Sequence, residues 1–161
     1  MPYENTNAAV AEQVSQLIAC LPSGAAAAIA CGTDLVEMAQ FSRDLKLGGE
    51  RFLHRIYTDD ELAFCQGRAD RLATRFAGKE AVAKALGTGI RGIGWTEIEI
   101  LSAAQGQPRI ILHRRAAFQA AQLAISAWAI SLSHTPSLAL AFVVGLGFQS
   151  SDRRQDDFAP R

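Results

Sequence analysis

Apolar positions along the 161-residue chain recur at two periods, helical in the first half and alternating in the second. Val10, Val14, Leu17, Ile18 and Leu21 follow helical spacing and predict a short amphipathic helix, which Pro22-Ser23-Gly24 ends. Ala25 to Gly32 is a compact apolar run whose second half predicts a buried strand, ending in CGTD. A helix is expected next through Leu35, Val36, Met38, Ala39 and Phe41, broken at Gly48-Gly49, with RFLHRIY as a second short helix. Thr58-Asp59-Asp60-Glu61 has the Thr-x-x-Glu form of a capping box and opens a third. After Gly67 a long helix is predicted over residues 69–86.

WTEIEIL then alternates, with Ile98 and Ile100 on one face of a half-buried strand. Gln105-Gly106-Gln107-Pro108 is a turn and RIILH the partner strand; residues 114–126 are Ala-rich and helical. WAISLSH and LALAFVVG predict a second hairpin across Thr135-Pro136-Ser137. Helices first and antiparallel hairpins afterwards predict an α+β fold. The chain divides into an N-terminal extension, 1–24, a folded domain, 25–148, and a polar tail, 149–161, expected to be disordered.

Composition narrows this picture. With 49% apolar and 20% charged residues, the chain suits one domain with a real core. A net charge of zero supplies no global field toward nucleic acid or a membrane surface. Cys20, Cys31 and Cys65 are widely spaced with no CxxC, which argues against a disulfide framework or zinc site and for small buried thiols in a reducing compartment. No apolar run reaches the ~20 residues of a membrane span, and no basic region precedes the first apolar residues. A cytoplasmic protein without nucleic-acid or membrane partners is expected.

The candidate chemistry centres on RFAGKEAVAKALGTG. Leu72, Phe76, Ala83 and Leu86 form an apolar stripe with Lys79 in its middle. A lysine there must pack its stem and carry its ammonium to a site or a partner. Glu80 and Lys84 lie one turn apart on the flank; as an exposed helix pair they would be worth about 0.3–0.5 kcal/mol. Gly87-Thr88-Gly89 follows the helix C-terminus, the negative end of its dipole, so it is not a phosphate loop of the Walker kind. Phosphates near it would need lysines and a metal, and Gly87 itself suits a C-cap. Asp34 is either a helix N-cap or, with Glu80, a ligand for a hard cation such as Mg²⁺. Ser133 and His134 are neighbours on a strand and face opposite sides, which makes them a poor nucleophile and base. His134 suits a surface residue or, when protonated, a phosphate contact.

Three stretches in this order resemble the holo-acyl-carrier-protein synthase family, the short type of 4′-phosphopantetheinyl transferase. CGTDLVEMAQF resembles its first motif, RFAGKEAVAKALGTGI its long second motif, and SLSHTPSLALAFVV its third. The resemblance covers residues 26–146. It implies an α+β fold of antiparallel strands with helices packed on one side, and active sites between subunits of a homotrimer. It implies transfer of 4′-phosphopantetheine from coenzyme A to a serine of an apo acyl carrier protein, in the service of fatty acid biosynthesis, leaving adenosine 3′,5′-bisphosphate. By position, Asp34 and Glu80 would bind Mg²⁺ and Lys84 the pyrophosphate. Arg75 and Lys79 would support the site or nucleotide, and Gly87, Thr88 and Gly89 would shape its pocket. His134 would contact coenzyme A phosphates from a neighbouring subunit.

Carrier proteins are commonly acidic, so Arg43, Arg51 and Arg55, with Lys46, are the candidate carrier contacts. Gln40 stands where the family often has an arginine that meets the carrier, a departure that counts against the usual carrier preference. Two other readings stay open: the same chemistry dedicated to a polyketide or peptide carrier, and a non-catalytic coenzyme A-binding module.

Overall fold

A computed structural model describes residues 26–103 and 106–149. The expected helix over residues 10–21, the polar tail from residue 150 and Gln105 of the predicted turn lie outside the described residues.

The first strand, β1 (Ala26–Glu37), runs longer than its apolar half. CGTD is not its end: Leu35 and Val36 belong to the strand, and the helix α1 (Met38–Ile56) begins only after Glu37. The double glycine kinks α1 rather than dividing it, because Gly49 takes φ 51°, a conformation open to glycine. The capping box forms as the sequence predicts and opens α2 (Asp59–Cys65): Thr58 Oγ1 accepts from Glu61 N, and Glu61 Oε2 accepts from Thr58 N. The long helix is α3 (Ala69–Ala85). It closes in a Schellman motif, Gly87 N donating to Lys84 O and Thr88 N to Ala83 O, with Gly87 at φ 72°. A four-residue helix α4 (Gly89–Gly92) follows.

WTEIEIL is a strand only in part. Trp95–Glu97 is a 3₁₀ turn and β2 is Ile98–Ser102, paired antiparallel with β3 (Pro108–Leu112). Nor is β2 half-buried at its start: Glu99 is buried as well as Ile98 and Ile100, and so is Glu97 of the 3₁₀ turn. Glu99 accepts from Thr58 Oγ1 at 2.6 Å and bonds His113 Nε2 at 2.9 Å; Glu97 accepts from Arg115 Nε at 3.0 Å. α5 (Arg114–Gln122) stops four residues short of expectation. β4 (Ala127–His134) and β5 (Leu138–Gln149) make the second hairpin, antiparallel, with Ile130 opposite Val143. β1 joins β5 to complete a three-stranded sheet in the order β1-β5-β4. Among the described residues, no helix is long and apolar enough to cross a membrane.

α3 packs between the two sheets. Ala77, Ala81, Val82 and Leu86 meet Ile98, Ile100 and Val143 in one cluster, while Phe41, Ile56, Tyr57, Cys65 and Leu72 form a second. Cys65 is a small buried thiol as expected, with burial pushing it up to about 11; Cys31 is exposed, since it lies on the outward face of β1. The helices lie on one side of the three-stranded sheet. Its other face is apolar, with Leu138, Leu140, Phe142 and Leu146 of β5 exposed beside Ile29 and Leu35 of β1.

Lys79 has no exposed surface. Its ammonium uses all three donors inside the domain, on Glu61 Oε2 at 2.7 Å and on the carbonyls of Trp95 and Ile98. Glu61 also accepts from Ile100 N at 2.9 Å, so one carboxylate ties α2, α3 and β2 together. Burial holds the Lys79 pKa below its ordinary value, against the pull of Glu61. Removing one partner strands the other's charge. Lys79→Ala or Glu61→Ala is expected to lower unfolding free energy by about 3–5 kcal/mol in urea titrations. Replacing both by apolar residues of similar volume should cost less than either.

Candidate active site

The site is built where β1 crosses α3. Gly32 lies so close to the helix that a Cβ there would overlap the Ala81 carbonyl oxygen, and this contact sets Asp34 beside Glu80 and Lys84. Asp34 sits within the strand, not at its end, and is no helix N-cap, a position held by Glu37. Lys84 Nζ donates to Asp34 Oδ1 at 2.7 Å and to Thr33 O at 3.0 Å. Thr33 Oγ1 in turn donates to Ala141 O at 3.0 Å, which fixes β1 against β5.

Glu80 and Asp34 line one cleft of about 380 Å³. Its apolar walls are Phe41, Phe52 and Phe76, and Phe76 is stacked on Trp95 at 4.7 Å between centroids. Partial burial raises the Glu80 pKa above the ordinary carboxylate range, the Asp34 charge raises it further, and Lys84 opposes both. Two carboxylates that repel each other across a cleft fit a divalent oxygen-seeking cation that keeps several of its waters. Among the described residues there is no cluster of three or more His, Cys, Asp or Glu arranged for a metal.

Arg75 and His134 line a different cleft, of about 350 Å³, with Phe64, Asp70, Arg71 and Ser102. The Arg75 guanidinium lies 4.4 Å from the Phe64 ring centre and donates to Arg71 O and Ser102 Oγ, at 3.2 and 3.1 Å. Its Nε is buried with no partner among the described residues. His134 Nε2 is 3.5 Å from Asp70 Oδ2. Hydrogen bonds from Arg68 above all bring the Asp70 carboxyl down to about 2. Two guanidinium groups and an imidazole, with Asp70 beside them, line a cleft whose donors could meet an anion.

The expected residues thus fall into two groups. Asp34, Glu80 and Lys84 come together, with Gly87, Thr88 and Gly89 just past Lys84 at the end of α3; Arg75 and His134 meet in the second cleft. Lys79 belongs to neither, because Glu61 and two carbonyls enclose its ammonium. Arg43, Arg51 and Arg55 are exposed along α1, on both sides of its kink. Sequence reasoning missed Phe64, Asp70 and Arg71, which no motif marks. It also missed Phe76 as a wall of the first cleft, although it precedes Glu80 by one helical turn.

A fold of this order, with paired carboxylates and a lysine at a strand–helix crossing, defines a class. The sequence profile of the 4′-phosphopantetheinyl transferase superfamily matches residues 30–143. A holo-acyl-carrier-protein synthase of Herpetosiphon aurantiacus is 43% identical over 123 residues, 72% of this chain and 97% of the relative. The solved holo-acyl-carrier-protein synthase of Neisseria meningitidis aligns with TM-score 0.66 and 38% identity, over 72% of this chain and 96% of that one. That of Helicobacter pylori, in complex with coenzyme A, aligns with TM-score 0.66 and 29% identity, over 71% and 98%. The chain belongs to the 4′-phosphopantetheinyl transferase superfamily and, within it, to the holo-acyl-carrier-protein synthase family, and it is an enzyme.

The raised Glu80 pKa has a stability consequence. The folded state holds this proton more tightly than the unfolded chain, so Glu80 favours folding when protonated and loses that contribution as pH rises through its folded pKa. Glu80→Gln is expected to raise the thermal midpoint at neutral pH. The gain should shrink as the pH falls through the Glu80 titration, in paired melting curves from neutral to acid pH.

Proposed function

We propose that the chain transfers 4′-phosphopantetheine from coenzyme A to a serine of an apo acyl carrier protein, releasing adenosine 3′,5′-bisphosphate, with Mg²⁺ at Asp34 and Glu80. The observation that carries this reading is the repelling carboxylate pair at the head of an apolar cleft, beside Lys84. Bound there, the cation would supply positive charge to the pyrophosphate as the P–O bond to the leaving nucleotide breaks. Lys84 is half-exposed and adds a cation on the same side. The serine oxygen forms the new P–O bond, and its proton passes to Glu80 or to a water beside it. Little covalent chemistry is asked of the protein; positioning and charge do most of it.

The second cleft holds the nucleotide phosphates through Arg75 and His134, assisted by Arg71. It shares no lining residue with the carboxylate cleft. The chain therefore carries two half-sites, which we assign to a homotrimer in which His134 serves its neighbour's carboxylates. The apolar face of Leu138, Leu140, Phe142 and Leu146 supports burial against other copies. The acidic carrier meets α1 through Arg43, Arg51 and Arg55, in the cytoplasm and in fatty acid biosynthesis.

Incubation with coenzyme A, Mg²⁺ and an apo carrier is expected to add one phosphopantetheine to the carrier by intact mass, and EDTA should suppress the gain. Asp34→Ala and Glu80→Ala should each lower kcat/KM by at least about 10³-fold with the circular dichroism spectrum unchanged. Wild-type turnover by either would remove the metal site.

If sites are shared, His134→Ala and Glu80→Ala chains, each inactive alone, should regain activity when refolded together. Mixed assemblies that form but stay inactive would exclude sharing.

A further inference from the structure

Two adjacent glycines, Gly48 and Gly49, interrupt α1 between two aromatic walls of the carboxylate cleft, Phe41 and Phe52. In a straight helix these two phenylalanines would be separated by about 16 Å along the axis. Their rings instead meet edge to face, with 6.1 Å between centroids. α1 therefore turns a corner and brings its second arm, residues 50–56, back toward the first. Both glycines are needed for it. Gly49 takes φ 51° and ψ −143°, a backbone conformation that a side chain opposes. A Cβ there would meet nothing within 4 Å, so conformation alone selects glycine at this residue. Gly48 is selected by close approach, since a Cβ there would overlap the Phe52 Cβ.

The corner also places charge. Arg43 lies on the first arm, Arg51 and Arg55 on the second, and all three are exposed. Arg51 directly precedes Phe52, and Arg55 follows Arg51 by one helical turn. The contact of Phe52 with Phe41 thus fixes where both arginines stand relative to Arg43. Charges on two partners reinforce each other only when their arrangements are complementary.

We propose that Gly48 and Gly49 are positioning residues for the carrier. The corner they form sets Arg51 and Arg55 at the angle to Arg43 that a single acidic surface requires. Neither glycine need touch the substrate; each acts through the arginines. The inference rests on the transfer reaction and on the carrier meeting α1.

The test is a double-mutant cycle on the full chain with coenzyme A, Mg²⁺ and an apo acyl carrier protein, with kcat and KM read by intact mass. Gly49→Ala is expected to raise KM for the carrier about 10-fold and to change kcat by less than about 2-fold. Arg51→Ala and Arg55→Ala together should raise that KM about 10-fold in the wild-type background and only about 2-fold in the Gly49→Ala background. Phe52→Leu loosens the same corner with the backbone unaltered and should give the same pattern. It carries the test if Gly49→Ala fails to bind coenzyme A in calorimetry and so has not folded. Arginine effects of equal size in all backgrounds would overturn the proposal, as would an unchanged KM in folded Gly49→Ala. No mass gain with the wild-type chain would instead overturn the transferase reading.

Discussion

The approach of β1 to α3 is the constraint on which the site depends. Gly32 has no Cβ, and the strand backbone therefore lies against the Ala81 carbonyl. The residue two further along the strand is Asp34; the residue before Ala81 is Glu80, and Lys84 follows one turn on. A longer side chain at residue 32 would push these apart, whatever their own chemistry. The same helix is clamped from its other side at Gly78, where a Cβ would overlap Ile100 and crowd Ile130. A glycine inside a helix costs about 0.5–1 kcal/mol relative to alanine. Here the loss is offset by close packing on both sheets, and the result is a helix with little freedom to shift the carboxylate it carries.

Two lysines on this helix show how position decides role. Lys79 and Lys84 are five residues apart and face different surroundings. Lys79 is enclosed, its charge matched by Glu61 and its remaining donors by carbonyls. Lys84 is half-exposed and pairs with Asp34 at the site. The buried pair adds little over an apolar pair in net stability, since desolvating both charges is costly. What it does is restrict register. Glu61 accepts from the first turn of α2, from Lys79 and from the Ile100 amide, so any slip of α3 against β2 breaks several bonds at once. Through that restriction a residue outside both clefts helps to place Glu80.

Local chemistry was the most legible part of the sequence. The capping box at Thr58 and the glycine C-cap at Gly87 each depend on a few adjacent residues, and each forms as read. β1 was misjudged at its end because its outward face is mixed. Thr33, Leu35 and Glu37 are exposed while Asp34 and Val36 are half-buried, an alternation that the inward Asp34 disguises. The motif brought Asp34, Glu80 and Lys84 into one list, and the fold brings them into one place. The same motif listed Lys79 with them, and the pairing that removes it, with a glutamate 18 positions away, leaves no local mark. The cleft around Arg75 was equally hidden. Its walls come from the end of α2, from α3, β2 and β4, and only packing unites them.

The separation of the two clefts follows from electrostatics. A pyrophosphate-bearing nucleotide needs cations on its phosphates, while a Mg²⁺ ion needs carboxylates. Placed together in one empty cleft, such groups neutralise each other, as Lys84 and Asp34 already do at 2.7 Å. Arg75 avoids this by lying on Phe64 and bonding a hydroxyl and a carbonyl, which hold a guanidinium without cancelling its charge. Its Nε is buried with no partner among the described residues. In the acidic cleft the two carboxylates stay at the cost of a raised Glu80 pKa. Each half thus retains an unmet electrostatic demand, of opposite sign. On the proposed reading, a ligand that carries both a bound cation and several phosphates would meet both demands where two such halves face each other.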